Sequence, residues 1–277
     1  MNSSNTEEQP LATEAQLTAW VGRFSAYRKA PSRADLLAWL GQFDVKHMPL
    51  AHRLLDAVVI VPEIDAHYGY KNALNNLEGW NRKIELRQGR WFFVGVGSAG
   101  ESGPAMLRMF REANGMTSDS WQRFFVTAKE LPGLNLSAYD SVVFVDDFAG
   151  TGTQVVNYWP ILAELVASEA RCHLILTAAT EYAAKKISDK TELILHCSII
   201  LEEGSNLFSE SSKLFSKDER VALDHYGNKA WSAHPRGFGG CGVALVLSHK
   251  TPNNSLPVLH ANHDGWVGPF PRNLIQR

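Results

Sequence analysis

Apolar residues recur three and four positions apart from Glu14 to about Trp80. LTAWVGRFSAY and ADLLAWLGQF both carry this spacing, and Ser32 stands where an N-cap for the second run belongs. LAHRLLDAVVIV continues in the same manner as far as Pro62. The pattern predicts a helical region of two or three hairpins, without a glycine-rich phosphate loop of its own.

At Trp91 the period changes. WFFVGVG is a short apolar run closed by glycines, and the helical pattern PAMLRMFREANG follows it. RFFVTA, SVVFVDD, CHLILTAA and ELILHCSIIL are further strand-like runs, with helices expected from about Thr153 to Ala167 and from Glu181. Strands alternating with helices predict βαβ units and a mostly parallel sheet. Nearly continuous apolar strands imply that both faces of that sheet are covered. After Ser216 a capping-box pattern, Ser216 with Glu219, opens a helix expected to reach about Trp231. The tail, Gly237 to Arg277, holds one clear strand, GVALVLSH; its remaining Pro, Asn, His and Trp suit ordered loops around a site better than a core. The expected division is a helical N-terminal region, 1–85, and an α/β domain, 86–277, with a loop-rich, hood-like C-terminal segment.

Composition narrows the function classes. The formal net charge is −2, so nothing global attracts a nucleic-acid backbone. No apolar run approaches the ~20 residues that span a bilayer. The opening MNSSNTEEQP lacks the basic start and apolar core of a secretory leader, so the expected location is cytoplasmic, with no membrane partner. Cys172, Cys197 and Cys241 are widely spaced, and the first two sit in apolar runs, so they read as small core residues rather than disulfide partners or metal ligands.

Chemistry concentrates in SVVFVDDFAGTGTQ. Val142 to Val145 make a buried parallel strand, with Asp146 and Asp147 at its carboxyl end and a small-residue loop leading into a helix. Ligands of open α/β sheets bind outside the carboxyl ends of strands. A Gly/Thr loop entering a helix offers amides, hydroxyls and a favourable dipole to a phosphate. Two carboxylates beside that anion site would repel the phosphate itself. They make sense if they bind ribose hydroxyls, hold Mg2+, or stabilise positive charge developing on a sugar.

This segment resembles the phosphoribosyl-diphosphate signature of type I phosphoribosyltransferases: four apolar residues, two acids, then a Thr-Thr-Gly-type loop. The resemblance implies a sheet of the phosphoribosyltransferase type, Asp146 and Asp147 on the ribose hydroxyls, and Gly150, Thr151, Gly152, Thr153 and Gln154 around the 5′-phosphate. Two residues depart from the pattern. Gly150 replaces the usual first threonine, and Gln154 stands where the family mostly has Thr or Ser.

VGVGSAGESGPAML is a second strand-to-helix loop. Its glycines, serines and Pro104 form a tight turn able to accept an anion. Gly97, Ser98, Ala99, Gly100, Glu101, Ser102 and Gly103 occupy the place of the family's diphosphate loop, with acidic Glu101 where a basic residue is often found. Near the end, RGFGGCGVALVLSHKTPNNSLPVL and HANHDGWVGPFPR resemble a narrower group, the phosphoribosyltransferase-like domains of bacterial conflict and anti-phage systems. These end in a similar His-x-Thr-Pro-Asn-Asn segment and a Trp/Pro-rich tail. In that setting His249, Thr251, Asn253 and Asn254 reach a base or second substrate. As turn formers and a structural histidine, the same four residues equally serve the fold.

No histidine or cysteine spacing marks a direct metal site, so Mg2+ is expected to arrive with the ligand, with Asp146 or Asp147 available to it. Nor does a Gly-x-Ser-x-Gly context mark a covalent nucleophile. Two readings stay open. One is an effector enzyme of a defence system that binds phosphoribosyl diphosphate or a nucleotide and acts at the glycosidic carbon. The other is a catalytically silent sensor of the same ligands that regulates a partner protein of a defence operon.

Overall fold

The structure is a computed structural model that describes residues 11–97, 102–166, 169–263 and 265–272. In chain order its helices and strands are α1 (Glu14–Phe24), α2 (Arg33–Leu40), α3 (Met48–Ala57), β1 (Val59–Val61), α4 (Glu63–Asn75), β2 (Trp91–Gly95), α5 (Ser102–Ala113) and α6 (Asp119–Gln122). There follow β3 (Ser141–Ala149), α7 (Thr153–Val166), β4 (Arg171–Thr180), α8 (Glu181–Lys190) and β5 (Ile194–Leu201). The last are α9 (Lys217–Ala230), β6 (Leu245–Leu247), α10 (Pro257–His260), β7 (Asn262–His263) and β8 (Trp266–Val267). The described residues form two compact units, one from Met1–Pro62 together with Gly204–Arg277, the other from Glu63–Glu203. The boundaries thus fall at Pro62 and Glu203, where the sequence suggested a single division near residue 85.

In the first unit Ser32 caps α2 as expected, its hydroxyl accepting from the Asp35 N–H while the Asp35 carboxylate accepts from the Ser32 N–H. The helical pattern does not run to Pro62. It stops at Ala57, and Val59–Val61 pair in parallel with Leu245–Leu247. Four successive β-branched residues, Val58 to Val61, explain the change, because their stiff side chains favour extended backbone. The C-terminal tail also differs from its expectation. Leu256, Val258, Leu259, Trp266 and Phe270 are core residues here, packed in one cluster with Trp20, Phe24, Trp39 and Leu54 of the helical region. Phe270 meets Phe24 and Tyr27 edge-on, and the Trp39 indole N–H donates to the Val258 carbonyl at 2.7 Å. The capping box at Ser216 and Glu219 forms as read. Ser216→Ala should therefore lower stability by about 1 kcal/mol, measured as a reduced urea midpoint at unchanged slope.

The second unit is a parallel sheet in the order β2-β3-β4-β5. Its two faces are covered separately. Tyr70 and Leu74 of α4 and Met106 and Phe110 of α5 pack with Val143, Val145 and Ile175. Val155, Trp159 and Leu162 of α7 and Ala183 and Ile187 of α8 pack with Val142, Phe144 and Leu174. Alternation of inward residues along β3 between these clusters is the period-two signature of a strand buried on both sides. β5 departs from that expectation, since its Ile194 and Ile200 are exposed.

RFFVTA is not a full strand. Only Phe125 bridges to Phe93, in parallel, because α6 ends at Gln122 and a 3₁₀ helix begins at Ala128. This single bridge still matters. It lies outside β2, so the chain passes from β2 outward to Phe125 and then back to β3 on the other side. The order reverses between β2 and β3, which makes their carboxyl ends the switch point where ligands of such sheets bind.

Candidate functional site

Both acids lie within β3, which continues through them to Ala149. Asp146 is buried, 6% exposed, and its Oδ1 accepts from the Ser102 hydroxyl at 2.7 Å and from the Asp147 N–H at 2.9 Å. Asp147 is half-buried, and its Oδ1 accepts from the Phe148 N–H at 2.7 Å. The buried Tyr70 hydroxyl donates to the Asp146 backbone carbonyl at 3.0 Å, which pins the strand where the acids emerge. Ser102 is the first residue of α5, so the start of that helix meets the Asp146 carboxylate of β3. Gly97 and Gly103 belong to the passage from β2 into α5. Gly97 has φ +95°, and a Cβ on Gly103 would lie 1.8 Å from the Val96 carbonyl oxygen, so this turn admits no side chain there. Ser98, Ala99, Gly100 and Glu101 lie outside the described residues.

Burial, and then the neighbouring Asp147 carboxylate, push the Asp146 carboxyl well above the usual carboxylate range. The folded protein accordingly holds a proton that the unfolded chain releases near pH 3.9. Above that pH the group's contribution to stability falls as pH rises toward its folded value. Wild type should thus lose stability relative to Asp146→Asn as pH is raised from about 4, read from urea midpoints across a pH series. Hydroxyl donors or a cation at this carboxylate would favour its charged form, so ligand binding here should release protons.

The loop after Ala149 is tied to α8. Thr180, the N-cap of α8, accepts from the Ala183 N–H and donates its hydroxyl proton to the Gly150 carbonyl at 2.6 Å. Gly152 adopts φ +67°, and a Cβ there would meet the Ala183 carbonyl at 3.0 Å. The Thr151 hydroxyl accepts from the Thr153 N–H at 3.3 Å, and Thr153 opens α7. Gln154 is exposed. The Lys186 ammonium donates to the Thr153 hydroxyl at 2.8 Å. Nothing in the local sequence singled out Lys186 or Thr180. They reach the loop because β3 and β4 pair in register, Ala149 opposite Ala179.

His249, Thr251, Asn253 and Asn254 belong to the other unit. There the Thr251 hydroxyl donates to the Phe270 carbonyl at 2.9 Å, and the Asn254 amide donates to the Phe238 carbonyl at 2.9 Å. These two side chains hold the C-terminal loops together. His249 and Asn253 are half-buried.

An acid pair in the carboxyl-terminal part of a central parallel strand, followed by a Gly-Thr-Gly-Thr helix entry at the switch point, resembles the phosphoribosyltransferase type. The PRTase-CE family model matches residues 36–272, and the chain belongs to that family. No curated protein matches the sequence.

Proposed function

We propose that this phosphoribosyltransferase-like protein binds phosphoribosyl diphosphate, or a nucleotide, together with Mg2+, and acts at the glycosidic carbon. The observation that supports this reading is the succession of Asp146, Asp147 and the Gly150 to Gln154 loop along the carboxyl-terminal part of β3 and the turn after it. Asp146 and Asp147 take the ribose hydroxyls, the loop amides and the Thr151 and Thr153 hydroxyls take the 5′-phosphate, and the Gly97 to Gly103 loop takes the diphosphate. As the bond from the glycosidic carbon to its leaving group breaks, positive charge spreads over the sugar ring. The two carboxylates stabilise that charge, and the leaving group departs with the bonding electrons while an acceptor supplies the new bond. Among the described residues no group of three or more His, Cys, Asp or Glu side chains could hold a metal. The Mg2+ would be carried mainly by the ligand's phosphates and touched by Asp146 or Asp147, where it would neutralise charge on the diphosphate. Assignment of a base or second substrate to His249 and its neighbours, and action as an effector in a bacterial defence system, rest on the family resemblance alone.

Binding without turnover is the alternative, in which the site senses its ligand and regulates a partner protein. One feature of the sequence favours it: acidic Glu101 stands where the resembled family often has a basic residue. One experiment separates the two. Purified protein is incubated with Mg2+ and phosphoribosyl diphosphate while thermal stability and diphosphate release are followed together. Binding at ~100 times the dissociation constant stabilises the fold by about 2.7 kcal/mol. Stabilisation with enzyme-dependent diphosphate release, to water or to an added nucleobase or amine acceptor, supports the transferase. Stabilisation without release across such a panel of acceptors supports the sensor, and absence of both overturns the phosphoribosyl reading.

A further inference from the structure

We propose that Lys186 binds the 5′-phosphate of the ligand and makes the site selective for phosphorylated ribosyl compounds; this rests on the phosphoribosyl reading of the acid pair and its loop. Lys186 lies on α8, between the turns that Gly152 and Thr180 hold against the loop. Its half-buried ammonium donates to the hydroxyl of Thr153, the first residue of the fourteen-residue helix α7. The start of a helix carries partial positive charge, which favours an anion and disfavours a cation. Neighbouring Lys185 is neutralised by Asp189 at 2.6 Å, whereas among the described residues no carboxylate lies within ion-pairing distance of Lys186.

A cation held at the positive end of a helix by a neutral hydroxyl, with the Tyr182 ring centroid 5.9 Å away, meets no opposite charge among the described residues and becomes favourable around a phosphate. The donor geometry agrees. An ammonium has three protons, of which Thr153 takes one. Because the Thr153 oxygen accepts from Lys186, its own proton is free to point at the same phosphate. The loop lacks two hydroxyls that the resembled signature often has, at Gly150 and Gln154, and Lys186 supplies donors from a different element.

The test is titration of Mg2+-phosphoribosyl diphosphate into wild type, Lys186→Met and Lys186→Arg, at low and high salt, with the unliganded melting midpoint of each. Lys186→Met should weaken binding by at least about tenfold and flatten its salt dependence, as loss of a charge-assisted bond requires. Its unliganded midpoint should be unchanged or higher, since a repelled cation has been removed, and Lys186→Arg should restore most of the affinity. Binding by Lys186→Met within about twofold of wild type would overturn the assignment. So would a lowered unliganded midpoint without rescue by arginine, which marks a structural lysine. Failure of the parent reading looks different: wild type then shows no binding, or the Asp146→Asn, Asp147→Asn variant binds as wild type does.

Discussion

The Asp146→Asn, Asp147→Asn double variant is expected to bind phosphoribosyl diphosphate at least a hundredfold more weakly than wild type, with no loss of unliganded stability. Each carboxylate that accepts from a ribose hydroxyl contributes about 1.5–3 kcal/mol as a charge-assisted hydrogen bond, so removing both charges costs about 3–6 kcal/mol of binding. Stability should move the other way. The asparagine oxygen at position 146 can still accept from the Ser102 hydroxyl and the Asp147 N–H, the two bonds that Asp146 makes now. What disappears is a carboxyl that burial and the adjacent Asp147 carboxylate hold protonated where the unfolded chain would ionise it. A site that is strained without its ligand and relieved by it is the usual trade between stability and function. Calorimetric titration together with urea unfolding reads both quantities. A variant that unfolds more easily than wild type would show that the acids hold the fold rather than a ligand.

Gly103→Ala should destabilise the second unit by about 2–4 kcal/mol, measured as a lowered urea midpoint. The new Cβ would lie 1.8 Å from the Val96 oxygen and 2.5 Å from its nitrogen, atoms of the backbone that leaves β2. A Cβ on Gly95 would in turn lie 2.6 Å from the Gly103 carbonyl oxygen, so strand end and helix start cross with no room for a side chain between them. Either the strand end or the first turn of α5 must move. Since Ser102 is the neighbouring residue and donates to Asp146, the displacement also carries off one partner of the acid pair. Ligand affinity should therefore fall along with stability. A fully stable Gly103→Ala protein would contradict the close approach itself.

The parts of the site that one stretch of chain builds were legible in the sequence. An apolar strand, two acids and a Gly-Thr-Gly helix entry are contiguous, and each element has a local physical signature. Caps at Ser32 and Ser216 were legible for the same reason. Lys186, Thr180 and Tyr70 were not, because they reach the site through strand register and helix packing, which spacing along the chain does not encode. The short strand at Val59–Val61 was read as helix because its partner, Leu245–Leu247, lies nearly two hundred residues away. The tail was read as loops around a site for a related reason. Its Phe270 and Trp266 are sparse along the chain, and they become core against Phe24 of α1, Phe43 after α2 and Tyr226 of α9. That long-range closure is also why the compact units follow contacts rather than a linear cut.

The central claim is that Asp146, Asp147 and the loop after them hold a phosphorylated ribose. A crystal structure of the protein with Mg2+ and phosphoribosyl diphosphate tests it most directly. The ribose hydroxyls are expected within about 2.6–3.2 Å of the Asp146 and Asp147 carboxylates, with the 5′-phosphate on the Thr151 to Thr153 loop. A ligand bound elsewhere, or one bound here without touching either carboxylate, would contradict it.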